Sequence, residues 1–296
     1  LKECEDFFHS RHIRMSRYNV VQAYMALGGI PFYMNFFNPS LSLAQNIDAL
    51  FFARNAKLAD EFNRLFNSVF DHAEESMQIV RVLGGRHAGY SRREIAEKTG
   101  INPNGEFTKM LKALIGSDFV CKYVPFGASS KEERYKLTDP FCWFWLHFKE
   151  SKRVSQEDYW QHHLRESEVA AWRGVAFEEV CLRHVKQIKQ ALQIGAVSST
   201  ESAYVTKGDE KTEGMQIDLV IDRNDDVVNL CEIKFSKSPY VISQAYASRL
   251  ATRQETLEKS VRNKTFMLTY IGNSPLAENE YADIFPCQLT SEDLFA

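Results

Sequence analysis

The spacing of hydrophobic positions changes along the chain and divides it into a helical part and an α/β part. Over residues 16–72, apolar positions return every three or four residues, as in "SRYNVVQAYMALGG" and "LADEFNRLFNSVF", which predicts amphipathic helices. From about 168 a helix over 170–192 precedes β-type runs near 202–206, within 216–236 and at 265–272, with another helix at 240–262. This alternation predicts an α/β sandwich with a mixed sheet.

The middle of the chain has the order helix, short helix, turn, helix, hairpin. The three helices are "EESMQIVRVLGG", "SRREIAEKTG", with Ser91 and Glu94 at capping-box spacing, and "NGEFTKMLKALIGSD"; "FVCKYVPFG" and "RYKLTD" predict the hairpin. This order predicts a winged helix-turn-helix whose third helix would enter the major groove of DNA. The candidate phosphate contacts are Arg92, Arg93, Lys109 and Lys112. Winged helices also pack against proteins, so both interpretations stay open.

An aromatic run and a polar run follow the hairpin. The run "DPFCWFWLHFKE" contains rings that can stack on bases, but a core helix joining two domains is the preferred interpretation. The polar stretch "KESKRVSQEDYWQHH" predicts a domain boundary, and its His162–His163 pair is interpreted as a surface pair because no matching Cys or His lies nearby. The predicted domains are 1–72, 73–150 and 151–296.

Charge is distributed unevenly between these parts. Residues 77–137 carry 11 Lys and Arg against 6 Asp and Glu, whereas residues 151–296 carry 17 against 22. A basic module in an acidic chain is compatible with a localised nucleic-acid contact, and equally with a solvated surface.

Other compositional features narrow the class of protein. No apolar run approaches the ~18 residues that a bilayer requires, so we expect no membrane partner. The six cysteines are scattered, without a CxxC pair, which predicts reduced core thiols of a cytoplasmic protein rather than a zinc site.

The stretch "QIDLVIDRNDDVVNLCEIKFS" places Asp218, Glu232 and Lys234 within runs that otherwise predict buried strands. Buried charges are costly unless they pair with or coordinate something. Strict alternation puts Ile217 on the face opposite to Asp218, and a turn centred on Asp225 puts Asp218 across from Glu232, at about 5 Å between Cβ atoms. Two carboxylates this close favour a cation between them, and oxygen ligands suit Mg²⁺ or Mn²⁺.

The helix upstream of these strands offers another acid. Glu178 flanks its apolar stripe and could reach the edge of the metal site, whereas Glu179 is expected to point towards solvent. Lys234 would orient a nucleophilic water or neutralise charge on a phosphate.

These residues resemble the PD-(D/E)xK nuclease superfamily. The pattern is G-x-x-F-E ending at Glu178, then Asp218, then Glu232-Ile233-Lys234, with Gln216-Ile217 in place of the Pro that often precedes the Asp. The resemblance implies a restriction-endonuclease-like fold, metal binding by Asp218, Glu232 and Glu178, and assistance to the water by Lys234. By the same resemblance, Gln244 and Tyr240 near the start of the next helix would contact nucleic acid.

The order of motifs along nearly the whole chain resembles the C-terminal half of a prokaryotic AAA+ ATPase family. The motifs are "ALGGIPFYMNFF", "NIDALFF", the winged helix, "YKLTDPFCWFW" and the nuclease-like segments. The resemblance implies that residues 1–72 are a helical lid and that ATP is bound only by an upstream domain. The chain has no G-x-x-x-x-G-K-[ST] and begins with Leu, so we expect that this domain is missing.

Two functions follow as hypotheses. The first is a Mg²⁺-dependent phosphodiesterase that cuts DNA, with the winged helix supplying affinity. The second is a non-catalytic module, binding nucleic acid or protein, that regulates an ATPase switch. Under either hypothesis, self-association into a homo-oligomer stays open. Under a third interpretation, Asp218, Glu232 and Lys234 form only a buried Lys–carboxylate network.

Overall fold

The computed structural model describes residues 1–150, 157–206 and 215–296. Their contacts form two compact units. The first comprises Leu1–Tyr123 and Glu133–Ala176, and the second comprises Val124–Glu132 and Phe177–Ala296.

The predicted domain boundaries at residues 72 and 150 stay predictions. The predicted linker at 149–163 lies partly outside the described residues, and Tyr159 and Trp160 near its end are buried in the first unit.

The first 72 residues are helical, as predicted. The helices are α1 (Lys2–Ser10), α2 (Arg17–Leu27), α3 (Pro31–Met34), α4 (Leu43–Ile47) and α5 (Glu61–Val69). Ser16 caps α2 by accepting the backbone N–H of Asn19, and Gly28 ends it with φ 68°, a left-handed conformation that glycine adopts without steric cost.

The element order predicted for 73–138 is also confirmed. The elements are α6 (Ala73–Gly84), α7 (Arg92–Thr99), α8 (Gly105–Gly116) and the antiparallel strands β1 (Val120–Tyr123) and β2 (Arg134–Leu137). Ser91 and Glu94 form the predicted capping box at the start of α7, and Asn104 caps α8. An isolated antiparallel bridge joins Tyr90 to Tyr135 of β2, so a third short segment pairs with the hairpin.

The aromatic run lies in the core of the first unit. It forms α9 (Pro140–Phe144) and a π-helical segment (Trp145–Glu150), and α10 (Tyr159–His163) follows. The ring of Phe144 is fully buried and lies 4.6–5.3 Å from the rings of Phe51, Phe148, Trp160 and Trp172. The core interpretation therefore holds for these rings.

The single helix predicted for 170–192 is wrong, because two helices occupy this part of the chain. They are α11 (Ser167–Arg183), which contributes residues to both units, and α12 (Val185–Ala191). His184 separates them with φ −113° and ψ 25°, and its backbone N–H bonds the carbonyl of Cys181, three residues back. The buried imidazole places Nδ1 2.7 Å from the carbonyl oxygen of Val180, which fixes the break.

The second unit is built on a mixed sheet, as predicted. Its strands are β3 (Ser199–Thr206), β4 (Met215–Arg223), β5 (Val227–Lys234), β6 (Thr265–Gly272) and β7 (Cys287–Thr290), and α13 (Gln244–Ser260) connects β5 to β6. Among the described residues the sheet has this same spatial order, antiparallel from β3 to β5 and parallel from β5 to β7.

Helices cover both faces of this sheet. Phe177 of α11 lies 5.4 Å from Phe235, just after β5, as measured between ring centroids. Leu250 of α13 joins a buried cluster with Leu230 of β5 and Leu268 of β6. Burial on both faces explains why β5 is apolar almost throughout.

The strict alternation predicted along β4 is wrong at Ile217. Ser202 of β3 pairs with Val220, but Tyr204 pairs with Ile217, so two residues of β4 lie against Ala203 alone. This β-bulge shifts the pleat by one residue, and Ile217 therefore packs in the same cluster as Val220. The extra residue is at Asp218 or Leu219, where the sequence pattern had placed a candidate ligand.

We expect Gly89→Ala to destabilise the first unit by about 1–3 kcal/mol or more. Gly89 has φ 66°, and an added Cβ would lie 2.1 Å from the carbonyl oxygen of Tyr135, beside the bridge to the hairpin. Urea unfolding followed by circular dichroism measures the change.

Gly105→Ala is the matched control, because an added Cβ there meets open space. We expect it to change stability by less than about 0.5 kcal/mol. Equal effects of the two substitutions would contradict the predicted clash at Gly89.

Candidate functional site

The site begins with two alternate residues of β5. Glu232 and Lys234 lie on the same face of the strand, and Lys234 Nζ is 2.6 Å from Glu232 Oε1. The Glu232 side chain is only 8% exposed and the Lys234 side chain 25% exposed. The pair is therefore a largely buried, hydrogen-bonded ion pair, as the Lys–carboxylate network interpretation requires.

Two residues of α13, which the sequence analysis missed, complete the surroundings of Glu232. The Tyr246 hydroxyl donates a hydrogen bond to Glu232 Oε1, and Arg253 Nη1 lies 3.7 Å from Oε2. Tyr246 and Arg253 are seven residues apart, which places them on one face of the helix. That spacing was visible in the sequence, but nothing in it indicated that this face meets Glu232.

The two residues predicted near the start of this helix occupy other positions. Gln244 is exposed in the first turn of α13, where no contact with Glu232 is found among the described residues. Tyr240 lies before the helix, with its ring centroid 6.4 Å from that of Tyr246.

The site shifts the titration of two of its members in the same direction. Burial alone would lower the pKa of Lys234, but the charge of Glu232 and the Tyr246 hydroxyl raise it above its ordinary value of 10.5. Burial and the Glu232 charge also raise the pKa of Tyr246 above 10.0. The stability that these interactions contribute is therefore present below pH 10 and is lost as the pH rises through the folded-state pKa values.

Asp218 lies at the bulge of β4 and is half-buried. Gln216 Nε2 donates to Asp218 Oδ1 at 3.3 Å. The regular pairs of β4 with β5 end at Leu219 and Cys231, one pair short of the predicted partnership of Asp218 with Glu232.

The charge of Asp218 also raises the pKa of buried thiols nearby. Burial raises the pKa of Cys181, and the neighbouring Cys231 thiol and the carboxylates of Glu178, Asp218 and Glu179 raise it further. Cys181 is on α11, so Asp218 and Glu178 act on the same buried group between that helix and the sheet.

The predicted exposure of the two glutamates on α11 is wrong for Glu179. Glu179 is 3% exposed, whereas Glu178 is half-buried. The reason is that α11 buries more of its circumference than a single stripe, as Trp172, Ala176 and Cys181 show.

The predicted metal site can be compared with these positions. No group of three or more His, Cys, Asp or Glu side chains converges to hold a metal within 1–150, 157–206 and 215–296, so Glu178, Asp218 and Glu232 do not form a three-carboxylate cluster. Mg²⁺ commonly uses only one or two carboxylates and keeps several waters. Asp218 and Glu232, on adjacent strands, are the chemically suitable pair, and a metal would compete with Lys234 for Glu232.

In the first unit, three of the four predicted phosphate contacts already have protein partners. Arg92 donates to the carbonyl of Pro103 at 3.1 Å and to Thr108 Oγ1 at 2.9 Å, which ties α7 to the start of α8. Arg93 pairs with Glu97 and Lys109 pairs with Glu106, both at 2.7 Å.

Lys112 differs from these three residues. It is exposed on α8 and has no ion-pair partner in the described part of the chain. Lys112 is therefore the strongest of the four candidates for contact with a phosphate.

Comparisons with known proteins assign no family to the chain. No protein-family model matches it, and no curated protein does. None of the described helices is long and apolar enough to cross a membrane. The function is therefore inferred from the geometry of the site.

We expect Lys234→Met to destabilise the second unit by about 3 kcal/mol, because it leaves the buried Glu232 carboxylate without its closest cation. The double variant with Glu232→Gln should recover most of this loss, as urea unfolding at pH 7 would show. Wild-type stability should fall as the pH rises above about 10, and the double variant should lose less over the same range.

Lys259→Met serves as the control, since Lys259 is 81% exposed on the same helix as Tyr246 and Arg253. If the losses in Lys234→Met and Glu232→Gln simply add in the double variant, the two side chains do not interact as we describe.

Proposed function

We propose that the chain is the nucleic-acid-processing part of an AAA+ ATPase and that its second unit is a divalent-metal-dependent phosphodiesterase acting on DNA. One observation carries the proposal: Lys234 lies 2.6 Å from the buried Glu232 on β5, while Asp218 occupies the adjacent strand at a bulge. Bulges are enriched beside active sites, where they redirect a side chain. The order helix, three strands, helix, strand also supports a restriction-endonuclease-like fold.

The proposal gives each side chain a role. Asp218 and Glu232 would hold Mg²⁺ or Mn²⁺, which when bound supplies Lewis-acid stabilisation of the phosphate. Lys234 is protonated at neutral pH because its pKa is raised, so it donates hydrogen bonds and positive charge rather than accepting a proton. Tyr246 orients Glu232 Oε1 by donating to it.

The same proposal covers residues 1–138. We infer that residues 73–138 are a winged helix-turn-helix, an inference supported by the order α6, α7, α8, β1, β2 and by the Tyr90–Tyr135 bridge. The helices of residues 1–72 are consistent with a lid. ATP would be bound by an ATPase domain that is not among these residues.

A second candidate function is favoured by a separate observation. Glu232 is already neutralised by Lys234 and bonded by Tyr246, with Arg253 close to its other oxygen. A carboxylate this well compensated needs no metal, which favours a non-catalytic nucleic-acid-binding module that regulates an ATPase switch.

The metal separates the two candidates. We expect calorimetric titration to show Mn²⁺ binding, and supercoiled plasmid to be nicked in Mg²⁺ or Mn²⁺. Asp218→Asn and Glu232→Gln should each lower the rate at least about 100-fold, because each removes a charged ligand. Asp226→Asn, in the exposed turn between β4 and β5, should leave the rate unchanged.

The opposite result would support the second candidate. Wild-type protein that shifts DNA but neither binds Mn²⁺ nor nicks plasmid is a binding module, and the phosphodiesterase proposal then fails.

We expect Lys112→Gln to weaken binding to a short DNA duplex severalfold. The slope of log affinity against log salt should also fall by about 1, because one phosphate contact is lost. Fluorescence anisotropy at several salt concentrations measures both quantities.

Lys57→Gln removes an exposed charge of the first unit outside the winged helix and provides the comparison. An equal change in the two variants would argue against a specific contact by α8.

A further inference from the structure

Helix α13 carries a stripe of polar residues beside its apolar face. Ala247, Leu250 and Leu257 pack into the core of the second unit. Tyr246, Arg249 and Arg253 follow at i, i+3 and i+7, a spacing that aligns them along one side of the helix. Because Tyr246 and Arg253 approach Glu232, the stripe lies beside the carboxyl-terminal end of β5, the central strand of the sheet, where Glu232 and Lys234 lie.

The two arginines are arranged around the carboxylate site in different ways. The Arg249 guanidinium lies 5.3 Å from the centroid of the Tyr246 ring, and Lys234 Nζ lies 5.4 Å from the same centroid. Arg253 approaches Glu232, with 3.7 Å between Nη1 and Oε2. Three cations thus lie around Glu232 and the Tyr246 ring that donates to it.

Arg253 has unused hydrogen-bonding capacity. Its side chain is only 23% exposed, yet it makes no hydrogen bond with any residue that the structure describes, and 3.7 Å is too long for one to Glu232. Other half-buried arginines of this chain behave differently: Arg17 bonds Glu5 and Arg81 bonds Glu150, both at 2.8 Å. A guanidinium presents five N–H donors, and its fork matches two oxygens of a phosphate.

We propose that Arg253, assisted by Arg249, is a binding site for a phosphodiester group of a nucleic-acid backbone, next to Glu232. The inference rests on the proposed function and adds the residues that hold the substrate. Lys234 satisfies Glu232 Oε1 directly, so Arg253 is not needed to neutralise this carboxylate and its donors are available for an anion. Arg249 adds a second, exposed charge one helical turn away on the same side of α13.

The test measures binding without catalysis. Fluorescein-labelled DNA and RNA 12-mers are titrated in EDTA at several salt concentrations and followed by anisotropy, in a Lys112→Gln background so that α8 does not dominate. Arg253→Gln should weaken binding about tenfold and lower the salt slope by about 1. Arg253→Lys keeps the charge but loses the planar fork of donors, so its affinity should lie between that of the protein with Arg253 and that of Arg253→Gln.

Arg262→Gln is the matched control, because Arg262 is exposed just beyond α13 and has the same charge. Thermal unfolding verifies that each variant is folded. DNA bound more tightly than RNA, or the reverse, identifies the source of the phosphodiester, and either result supports the site.

Several results would overturn the inference. The first is that wild type binds neither 12-mer. The second is that Arg253→Gln binds as tightly as wild type. The third is an equal loss of affinity in Arg262→Gln, which would indicate a general charge effect. These outcomes differ from failure of the proposed activity. Metal-dependent cleavage with no effect of Arg253→Gln removes only this site, whereas loss of binding in Arg253→Gln with no cleavage by wild type removes only the phosphodiesterase.

Discussion

The second unit depends on compensation of one buried charge, that of Glu232. An uncompensated carboxylate at 8% exposure would cost several kcal/mol, so the strand that carries it must meet cationic and hydrogen-bonding partners. Lys234 comes from the same strand and Tyr246 from α13, and both donate to Glu232 Oε1. This constraint sets the rotation of α13 about its axis, since its polar stripe must face Glu232 while Leu250 and Leu257 face the core.

The same compensation defines the choice between the two functions. Both candidate functions use the same side chains around Glu232. They differ in whether a metal ion can displace Lys234 from this carboxylate. The bulge at Asp218 adds a second feature that stability alone does not require, because a regular strand would pair as well or better. Together with an arginine that has donors to spare, it supports our proposal that a phosphate binds at the carboxyl-terminal end of β5.

The two units show different relations between basic residues and function. In the first unit, Arg92 ties two helices together and Arg93 and Lys109 pair with glutamates, so among the four predicted phosphate contacts Lys112 is the one without a described ion-pair partner. In the second unit, which carries more acidic than basic residues, Arg249 and Arg253 lie on one side of α13, and Arg253 makes no side-chain hydrogen bond with the described residues. Net charge therefore gives little indication of where an anion would bind, because pairing within the protein decides which charges remain available.

Local sequence determined the elements of both units. Caps at Ser16 and Ser91, the glycine stop at Gly28 and the apolar runs of β5 and β6 depend on neighbouring residues, so their positions could be predicted. The pairing of Glu232 with Lys234 was also within reach, because alternate residues of a strand share a face. The bulge at Asp218, the break at His184, the burial of Glu179 and the contacts of Tyr246 and Arg253 were decided only by tertiary structure. Each of them depends on a partner distant in sequence, and no local pattern records which face of one element meets which face of another.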